Sequence, residues 1–311
     1  MSQADRETVV SVVIPTRRRI EKLLRCIESV RASEADGLEV EVVVVADRDP
    51  DIRPAVQQRY PEIIVLDSHE RLGSQGGRAL AAFSARGEYL FFLDDDNVLD
   101  PGCIATLARV MAAWPELGLL GPLSLVFGTE GEVWSAGGHL SRPLCLVSYA
   151  YAGRRRDSLP ASSLLRCEYA PNAFMVRRDA TDLVEAVSRL FPHYWSEPAV
   201  SAELQARGLE SAVSTECWTW HDFGYSGPFT RIGEGWTDEQ ARARLLWRRL
   251  YRPGFVPMAA FWLLVFPVSS LAYTRRFLGA GDTLVNLRAY LRGTWQGLRT
   301  PACYPERPLF R

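Results

Sequence analysis

Short runs of β-branched and aliphatic residues alternate with longer amphipathic stretches over the first third of the chain. Four apolar runs are bounded by polar residues, glycine or proline, which is typical of buried strands, at residues 9–14, 40–45, 63–66 and 89–93. The stretches after these runs predict helices at residues 20–31, 52–60, 76–86 and 101–113. Repeated strand–helix units of this kind predict an α/β fold with a mostly parallel sheet flanked by helices.

The regular alternation ends near residue 120. Residues 120–170 are rich in Gly, Ser and aromatic residues and are expected to form shorter strands and loops, with antiparallel pairing. Two further helices are predicted at residues 179–189 and 198–207, followed by an aromatic loop at residues 218–227. From Asp238 onward the chain becomes basic and is predicted to be helical.

An uncharged apolar run interrupts this basic region at residues 257–273. A helix that crosses a bilayer needs about 20 apolar residues, so the run is short for a span, and Pro267 interrupts it. Arginines flank it on both sides, at Arg248, Arg249, Arg252, Arg275 and Arg276. An interfacial helix with arginines on lipid headgroups explains the pattern best, and it predicts peripheral association with a membrane surface. The alternatives are a true span and a helix buried in the core or in a homodimer interface.

Composition and charge exclude several classes of protein. The 311 residues are 47% hydrophobic and carry a formal net charge of -1, so the core is ample and no positive field favours nucleic acid. The six cysteines are dispersed without a C-x-x-C pair, which predicts neither a zinc site nor a disulfide framework and suits a reducing cytosol. The polar start of the chain lacks the pattern of a signal peptide. A cytoplasmic protein at the inner face of the plasma membrane is therefore expected.

Three consecutive carboxylates, Asp94-Asp95-Asp96, directly follow the apolar run at residues 89–93. Carboxylates held this close repel one another and lose hydration on burial, and a divalent cation relieves both costs. Ligands of open α/β sheets bind outside the carboxyl ends of the strands. The sequence therefore predicts a Mg²⁺ or Mn²⁺ site that meets a charged ligand such as a phosphate. The alternative is an acidic turn before the next helix, with Asp100 as N-cap and Pro101 at the first position.

The order of these features resembles the nucleotide-sugar domain of family 2 glycosyltransferases with the GT-A fold. The matching features are the strand ending in Pro15-Thr16, the strand ending in Asp47, the helix opened by Gly73-Ser74-Gln75-Gly76-Gly77-Arg78, the segment Gly87-Glu88-Tyr89 and the acidic triplet. The resemblance covers about residues 9–225 and implies a single Rossmann-like, mostly parallel sheet in a domain at residues 1–225. Residues 226–311 would then form a C-terminal basic helical extension that contains the apolar segment.

The resemblance implies a nucleotide-sugar donor, linked to UDP, dTDP or GDP. It assigns Pro15, Thr16 and Arg17 to the pocket for the base and ribose. It assigns Asp47 to the imide N–H of a uracil or thymine base, for which a carboxylate is a suitable acceptor. The segment Ala46-Asp47-Arg48-Asp49 departs from the commoner Asp-Asp-Gly-Ser or Asp-Asn-Gly-Ser pattern, so the identity of the base stays open.

The same resemblance implies roles around the diphosphate. Arg78 matches an arginine that contacts the nucleotide, and the alternative is a solvated charge on its helix. Asp94 and Asp96 form the D-x-D pair, with Asp96 as the direct metal ligand, while Asp95 would contact the ribose. His221 matches a histidine that completes the metal site or contacts the diphosphate, since a neutral imidazole is a suitable ligand. The alternative for His221 is a structural histidine among aromatic residues.

Glu197 is the predicted general base. Family members carry a Glu-Asp pair at the start of a helix, whereas this chain has Glu197-Pro198, so Glu197 is the one carboxylate at the motif. An inverting transfer needs one base near the acceptor hydroxyl, and Glu203 on the same helix is a second candidate. The alternative for Glu197 is an acid in the first helical turn, where the helix dipole favours it. Trp218 and Trp220 either stack on an acceptor sugar or pack in the core.

The resemblance, carried by these residues, implies an inverting, metal-dependent glycosyltransferase that moves a sugar from a nucleotide diphosphate donor to an acceptor hydroxyl. The basic, partly apolar C-terminal region predicts a membrane-bound acceptor, such as a polyprenyl-linked glycan, and a role in cell-surface glycan or lipid-linked saccharide synthesis. One alternative is a nucleotidyltransferase, which also uses carboxylates and a metal on an α/β sheet. Another is a non-catalytic glycan-binding or scaffold protein, which Pro198 makes conceivable.

Overall fold

The computed structural model describes residues 8–34, 37–140, 147–160, 164–222, 234–251 and 283–304. Up to Asp222 these residues form one compact unit built on a mixed sheet of ten strands. The described residues after Asp222 include two helices that belong to a second unit. The first unit confirms the predicted α/β fold, because helices flank a sheet whose amino-terminal strands are parallel.

The amino-terminal half of the first unit contains the predicted alternation of strands and helices. Its elements are β1 (Thr8–Thr16), α1 (Ile20–Arg31), β2 (Leu38–Asp47), α2 (Ile52–Arg59), β3 (Ile64–Ser68), α3 (Gly73–Ser84) and β4 (Tyr89–Leu93). The strands lie parallel in the order β4-β1-β2-β3. Every strand and helix predicted in this half is therefore confirmed, with small differences at the ends.

The next part of the chain adds mostly antiparallel strands. Its elements are β5 (Asn97–Leu99), α4 (Cys103–Ala113), β6 (Leu117–Val126), β7 (Val133–Ser135), β8 (Gly138–Leu140), β9 (Val147–Tyr149), β10 (Leu164–Cys167), β11 (Ala173–Arg177), α5 (Thr181–Leu190), α6 (Ser196–Ala206) and β12 (Glu210–His221). The sheet runs in the order β10-β12-β6-β11-β4-β1-β2-β3, with β5 beside β12 and β7 beside β6. Strands β8 and β9 form a separate pair. Strand β11 is antiparallel to β4 and β6, whereas β12 is parallel to β6.

The aromatic loop expected at residues 218–227 is wrong for its first part. Residues 218–221 are the end of β12, which pairs with β5 and β6, and residues 223–227 lie outside the described part of the chain. Strand alternation explains the aromatic pattern. Thr219 and His221 are buried on one face of β12, while Trp218 and Trp220 lie on the other.

Two other segments differ from the expectation. Shorter strands and loops were expected from residue 120 onward, but β6 continues as one strand from Leu117 to Val126. Gly121 within it weakens the sequence pattern of a strand. That glycine is needed for packing, because Ala170 Cβ lies 2.5 Å from where a Cβ on Gly121 would be. Helix α4 begins at Cys103 without a side-chain cap, so the alternative of Asp100 as its N-cap is wrong. The Asp100 backbone carbonyl accepts the Cys103 N–H at 2.9 Å instead.

Strand β4 lies inside the sheet and is fully buried. Phe91 packs in one cluster with Leu23 and Ile27 of α1. On the opposite face Phe92 meets Phe174 of β11, with ring centroids 5.3 Å apart. Burial of side chains of this size contributes about 2 kcal/mol each. The end of β4 is therefore held firmly on both faces, and this fixes where the acidic residues that follow it begin.

A polar link ties together the start of the sheet strands. The Arg86 backbone N–H and guanidinium donate to Glu41 of β2 at 2.6 and 2.9 Å, and Ser11 of β1 donates to the same carboxylate. Ser11 Oγ also accepts the Gly87 N–H at 2.7 Å. Burial opposes ionisation of Glu41, but these donors outweigh it and lower the pKa of that carboxyl. The chain that leaves α3 is thereby held against β1 and β2 before it enters β4.

Within the described residues, the second unit contains α7 (Glu234–Tyr251) and α8 (Thr283–Arg299), which confirms a helical C-terminal region. The two helices approach closely at glycines of α8. A Cβ on Gly293 would meet the Asp238 carbonyl oxygen at 1.9 Å, and a Cβ on Gly297 would meet the Arg242 carbonyl oxygen at 2.8 Å. The pair is therefore held by backbone packing that larger residues would prevent.

Arg249 of α7 covers the end of α8, because its guanidinium donates to the carbonyl oxygens of Gly297 and Leu298 at 2.6 and 3.0 Å. The apolar segment at residues 257–273 lies outside the described residues, and so does the predicted domain boundary at residue 225. Both stay predictions. Among the helices that the structure describes, none has the length and apolar character needed to cross a bilayer.

Gly87 provides a test of the packing at the start of β4. A Cβ on Gly87 would meet the Ser11 backbone nitrogen at 2.5 Å and the Tyr89 carbonyl oxygen at 2.8 Å. Since neither backbone atom can turn away, Gly87→Ala should lower the free energy of unfolding by about 2 kcal/mol, measured by urea denaturation. The matched control is Gly102→Ala, whose Cβ would lie 3.7 Å from Asp100 Oδ2 and which should cost less than about 1 kcal/mol. Equal losses in the two variants would contradict the close approach.

Candidate functional site

Polar side chains gather where β1, β2 and β4 reach their carboxyl ends. Thr16 is the last residue of β1, Asp47 is the last of β2, and Asp94 follows β4. The Asp94 N–H donates to the Asn172 carbonyl oxygen, and the Asn97 N–H donates to the Asp94 carbonyl oxygen, both at 3.1 Å. These bonds hold residues 94–97 in a tight turn, in which each of the three carboxylates has a different set of partners.

Asp95 points into the protein and is fully buried. Thr16 Oγ1 donates to Asp95 Oδ2 at 2.6 Å, and the Arg19 guanidinium pairs with the same carboxylate. Burial raises the pKa of Asp95 to about 6, although Arg19 and Thr16 oppose the rise. Protonated Asp95 therefore favours the fold at acid pH, and this contribution is lost as the pH rises through about 6. Because Asp95 has no exposed surface, the predicted ribose contact would require local rearrangement and stays a prediction.

Asp96 lies between two basic side chains. Arg19 donates to Asp96 Oδ2 at 2.6 Å, and His221 Nε2 lies 3.4 Å from Asp96 Oδ1. Burial opposes ionisation of Asp96, but His221 and Arg19 outweigh it and lower the pKa of this carboxyl. The Asp222 N–H donates to the Asp96 carbonyl oxygen at 2.8 Å, so the end of β12 is attached to the acidic turn.

Arg19 is a site residue that the sequence analysis missed. It lies just before α1, in the run Arg17-Arg18-Arg19, and its side chain bridges Asp95 and Asp96 while it stays 46% exposed. Burial opposes its charge, but the aspartates of the turn outweigh this and raise the pKa of Arg19. This run of arginines follows the first predicted strand, and it is the sequence signal that could have identified a basic partner for the acidic triplet.

Arg78 is fully buried between two carboxylates. Its guanidinium donates to Asp94 Oδ1 at 2.8 Å and to Glu197 Oε1 at 2.9 Å, and it lies 5.1 Å from the centre of the Phe174 ring. Burial opposes the positive charge, but Asp94 and Glu197 outweigh it and raise the pKa of Arg78. The alternative of a solvated helix charge is therefore wrong, and Arg78 instead joins β4 to α6.

Glu197 lies in the first turn of α6, where Pro198 is tolerated because the first turn needs no backbone donor there. Trp195 before the helix lies in the left-handed region, with a positive φ of 67°. Ser196 Oγ donates to Glu197 Oε2 at 3.0 Å, while Arg78 occupies the other oxygen. Glu203 lies about 9 Å further along the helix axis. Glu197 is thus placed beside the acidic turn, and Glu203 is two turns away from it.

Asp47 holds the start of α3. Its two carboxylate oxygens accept the Leu72 and Gly73 N–H groups at 2.8 and 3.1 Å, and His193 Nδ1 accepts the Ser74 N–H at 3.2 Å. The first donors of this glycine-rich helix are therefore satisfied within the protein, so its start is not an open cradle for a phosphate. Each Asp47 oxygen keeps a further lone pair for a ligand.

The remaining predicted nucleotide residues lie near the start of α3. Pro15 is close to α3, because a Cβ on Gly77 would meet Pro15 Cβ at 2.9 Å. Arg17 lies near His193, whose pKa is lowered by burial and by Arg71 and Arg17, with Asp47 opposing. This side of the site is therefore bordered by basic groups, and the ends of β1 and β2 meet there as the sequence predicts.

The predicted metal ligands are brought together only in part. Asp96 and His221 are adjacent, whereas Asp94 is paired with Arg78. Within the residues that the structure describes, there is no group of three His, Cys, Asp or Glu side chains that could hold a metal ion. Asp96 Oδ1 is nevertheless buried and has the imidazole nitrogen of His221 beside it. An oxygen and a nitrogen donor of this kind fit a divalent cation, so the pair remains the candidate metal site.

Aromatic side chains border the site beyond His221. Trp134 of β7 meets the His221 ring edge-on at 4.6 Å and the Tyr149 ring at 4.8 Å. Burial, followed by the nearby Glu197 charge, raises the pKa of Tyr149 to about 12. Trp218 and Trp220, for which sugar stacking and core packing were both left open, lie on the other face of β12. Trp134 was missed because its place beside His221 depends on strand pairing between distant segments.

Asp222 links the end of β12 to α1. Lys22 pairs with the Asp222 carboxylate at 3.2 Å, and Arg25 pairs with it as well. Burial opposes ionisation, but hydrogen bonds from Arg25 and Lys22 outweigh it and lower the pKa of Asp222. A carboxylate stabilised in its charged form is a weaker base, so Asp222 is a poorer candidate for proton abstraction.

Replacement of Arg78 tests the buried ion pairs. Arg78→Met should lower the free energy of unfolding by about 3 kcal/mol at pH 7.5, because it leaves two carboxylates without their shared partner. The loss should shrink at pH 5, since Asp94 freed from Arg78 takes up a proton more readily. Urea denaturation at both pH values measures this. Arg109→Met is the control, because Arg109 pairs with Glu216 on the surface and should contribute less than about 1 kcal/mol. A loss no larger than the control would contradict the role of Arg78.

Residues 11–181 match the family model described as glycosyl transferase family 2. Succinoglycan biosynthesis protein ExoO of Rhizobium meliloti (strain 1021) is 34% identical over 101 residues, which are 31% of this chain and 28% of that protein. Uncharacterized glycosyltransferase YwdF of Bacillus subtilis (strain 168) is 30% identical over 102 residues, which are 32% of this chain and 37% of that protein. The matches thus span well under half the length of either relative.

Among solved structures, the crystal structure of GalNAc-T7 with UDP, GalNAc and Mn²⁺ is similar in fold. The TM-score is 0.63 at 13% sequence identity, over 96% of this chain and 57% of that chain. This likeness concerns the fold, and it agrees with the GT-A fold expected from the order of strands and the acidic triplet. Since the family model spans more than half of the residues and the acidic turn lies at the end of β4, the chain belongs to glycosyl transferase family 2.

Proposed function

We propose that this protein is an inverting glycosyltransferase that moves a sugar from a nucleotide diphosphate donor to an acceptor hydroxyl. The observation that carries the proposal is the buried Arg78, which joins Asp94 at the end of β4 to Glu197 at the start of α6. The first carboxylate belongs to the turn where the donor is expected, and the second is the candidate base. One side chain therefore sets the position of both groups, and membership of the family supports glycosyl transfer as the chemistry.

The nucleoside of the donor is proposed to lie at the ends of β1 and β2. Asp47 is already oriented by two backbone N–H groups, and its remaining lone pairs can accept an imide N–H. Pro15, Thr16 and Arg17 would border the base and ribose on the β1 side. GalNAc-T7 was crystallised with UDP, which supports UDP as the first nucleotide to test.

The diphosphate is proposed to lie beside the acidic turn. Asp96 and His221, with Asp94 as the second carboxylate, would hold Mg²⁺ or Mn²⁺, and the Mn²⁺ in the GalNAc-T7 structure supports this choice. A bound cation supplies positive charge next to the phosphates. Arg19 is half exposed beside Asp96 and would supply a further positive charge to the leaving group from the protein itself.

Glu197 is proposed to take the proton from the acceptor hydroxyl. The acceptor oxygen then forms a bond to the anomeric carbon as the bond from that carbon to the diphosphate oxygen breaks. The nucleotide diphosphate leaves with the electron pair, and attack from the opposite side inverts the configuration. Arg78 and Ser196 each bind one oxygen of Glu197, so the carboxylate is held in one orientation before the acceptor arrives.

The acceptor is proposed to be a growing glycan or a polyprenyl-linked saccharide at the inner face of the plasma membrane. The name of the relative ExoO refers to succinoglycan biosynthesis, which supports polysaccharide synthesis as the context. The arginine-flanked apolar run at residues 257–273 supports peripheral attachment to the membrane that carries such acceptors.

Metal-dependent nucleotide binding tests the donor site. Calorimetry should show that UDP or dTDP binds at least about tenfold more tightly with Mn²⁺ than after addition of EDTA. The reason is that the cation reduces the repulsion between the phosphates and the carboxylates. Asp96→Ala should remove this difference while circular dichroism shows an intact fold. Asp67→Ala, a substitution at an exposed aspartate of β3, is the control and should preserve it. Equal affinity with and without Mn²⁺ in the unaltered protein would refute the metal role.

Glu197→Gln tests the base. The amide keeps the size of the side chain and an oxygen that can accept from Arg78, but it cannot take a proton. Transfer should fall about 10²–10⁴-fold, as expected for loss of a general base, while donor affinity is retained. The companion variant Glu203→Gln should transfer at near the unaltered rate. Near-normal transfer in Glu197→Gln would move the role to another carboxylate, and a parallel loss of donor binding would place Glu197 in the donor site.

A further inference from the structure

The exposed side of α8 carries a continuous apolar stripe. Leu291, Trp295 and Leu298 are 44%, 55% and 42% exposed. With 3.6 residues per turn, these three positions fall within an arc of about 60° around the helix. The opposite side is occupied by α7, where Gly293 and Gly297 meet the α7 backbone. The stripe is therefore separate from the packing between the two helices.

A basic stripe runs directly beside the apolar one. It consists of Arg288, Arg292 and Arg299, all exposed, within a neighbouring arc of about 40°. Helix α8 contains neither aspartate nor glutamate, so no negative side chain of its own offsets these charges. Arg292 also pairs with Asp238 of α7 at 2.9 Å, whereas the Arg299 guanidinium lies 4.5 Å from the centre of the Trp295 ring. Apolar and cationic groups thus form one joint surface.

The chemistry of this surface identifies the partner. Burial at the boundary between headgroups and acyl chains stabilises apolar side chains and an exposed tryptophan. Anionic headgroups attract the adjacent arginines. A symmetric contact with a second copy would present the same patch on both sides and would bring like charges together. A neutral protein groove would match the leucines but would leave the arginines without counter-charges.

We propose that the surface formed by Leu291, Trp295 and Leu298 with Arg288 and Arg299 binds an anionic lipid bilayer. Helix α8 is about 25 Å long and would lie in the plane of the membrane surface. This inference uses only described residues of α8 and α7, so it is independent of the apolar run at residues 257–273. It also does not depend on the proposed glycosyl transfer, since it concerns where the protein binds and not what it does there.

Vesicle sedimentation with the full chain tests the proposal. The probes are vesicles of phosphatidylcholine alone and of phosphatidylcholine with about 30% phosphatidylglycerol, because the second type carries the negative surface that the arginines require. The unaltered protein should partition onto the anionic vesicles, less so at high salt. Trp295→Ser should weaken partitioning about tenfold. Arg288→Gln combined with Arg299→Gln should weaken it about 20-fold, with no effect on phosphatidylcholine alone.

Matched controls separate this surface from general effects of exposure and charge. Trp114→Ser removes a tryptophan that is 45% exposed in the first unit, and Arg154→Gln with Arg155→Gln removes two exposed charges there. Both should leave partitioning unchanged. All variants should keep their thermal unfolding midpoint and, without lipid, their nucleotide affinity. If the unaltered protein did not bind nucleotide, that result would count against the proposed function and not against this membrane surface.

Three results would overturn the proposal. The first is an unaltered protein that does not bind anionic vesicles, and the second is α8 variants that bind them as well as the controls do. The third is a change of oligomeric state in the α8 variants, measured by light scattering after gel filtration, with vesicle binding unchanged. That last result would assign the surface to contact between copies of the chain.

Discussion

The site depends on one buried ion pair network, in which Arg78 is held between Asp94 and Glu197. A guanidinium removed from water is stable only if its charge is balanced, and these two carboxylates each bind one of its terminal nitrogens. In return Arg78 keeps two negative groups close together that would otherwise repel. The network joins the end of β4, the middle of α3 and the start of α6, which are the elements that border the expected donor and acceptor. The ion pairs that balance the charge of Arg78 therefore also hold these three elements in position around the site.

The acidic turn shows the same constraint on its other side. Asp95 and Asp96 share Arg19, and Asp96 also meets His221. The environment sorts the two neighbouring aspartates: burial dominates for Asp95 and raises its pKa, whereas the basic partners dominate for Asp96 and lower its pKa. Asp96 is therefore the better anion at neutral pH, in agreement with its proposed role as a metal ligand. The positively charged Arg19 side chain lies beside Asp96, where it would stabilise the proposed diphosphate leaving group.

The two units contribute different kinds of chemistry. The first unit supplies a rigid sheet whose strand ends present carboxylates and arginines to a ligand. The second unit supplies a helix pair whose closeness depends on Gly293 and Gly297, and it presents apolar and basic side chains on its exposed side. The proposed transfer to a lipid-linked glycan would use both properties, because such an acceptor is confined to a membrane surface while the donor is a soluble anion.

The sequence by itself determined the alternation of strands and helices from β1 to β4, because apolar spacing reports directly which residues face a core. It also determined that Asp94-Asp95-Asp96 follows a buried strand, and that Asp47 and Pro15-Thr16 end its neighbours. Only the tertiary structure decided which basic side chain pairs with which carboxylate. Arg78 and Glu197 are 119 positions apart, and Arg19 and Asp96 are 77 positions apart. The strand formed by Trp218 to His221 and the approach of Trp134 to His221 were likewise decided by pairing with distant segments. Local spacing carries no record of such contacts, since they arise only when the sheet order brings remote strand ends to one edge.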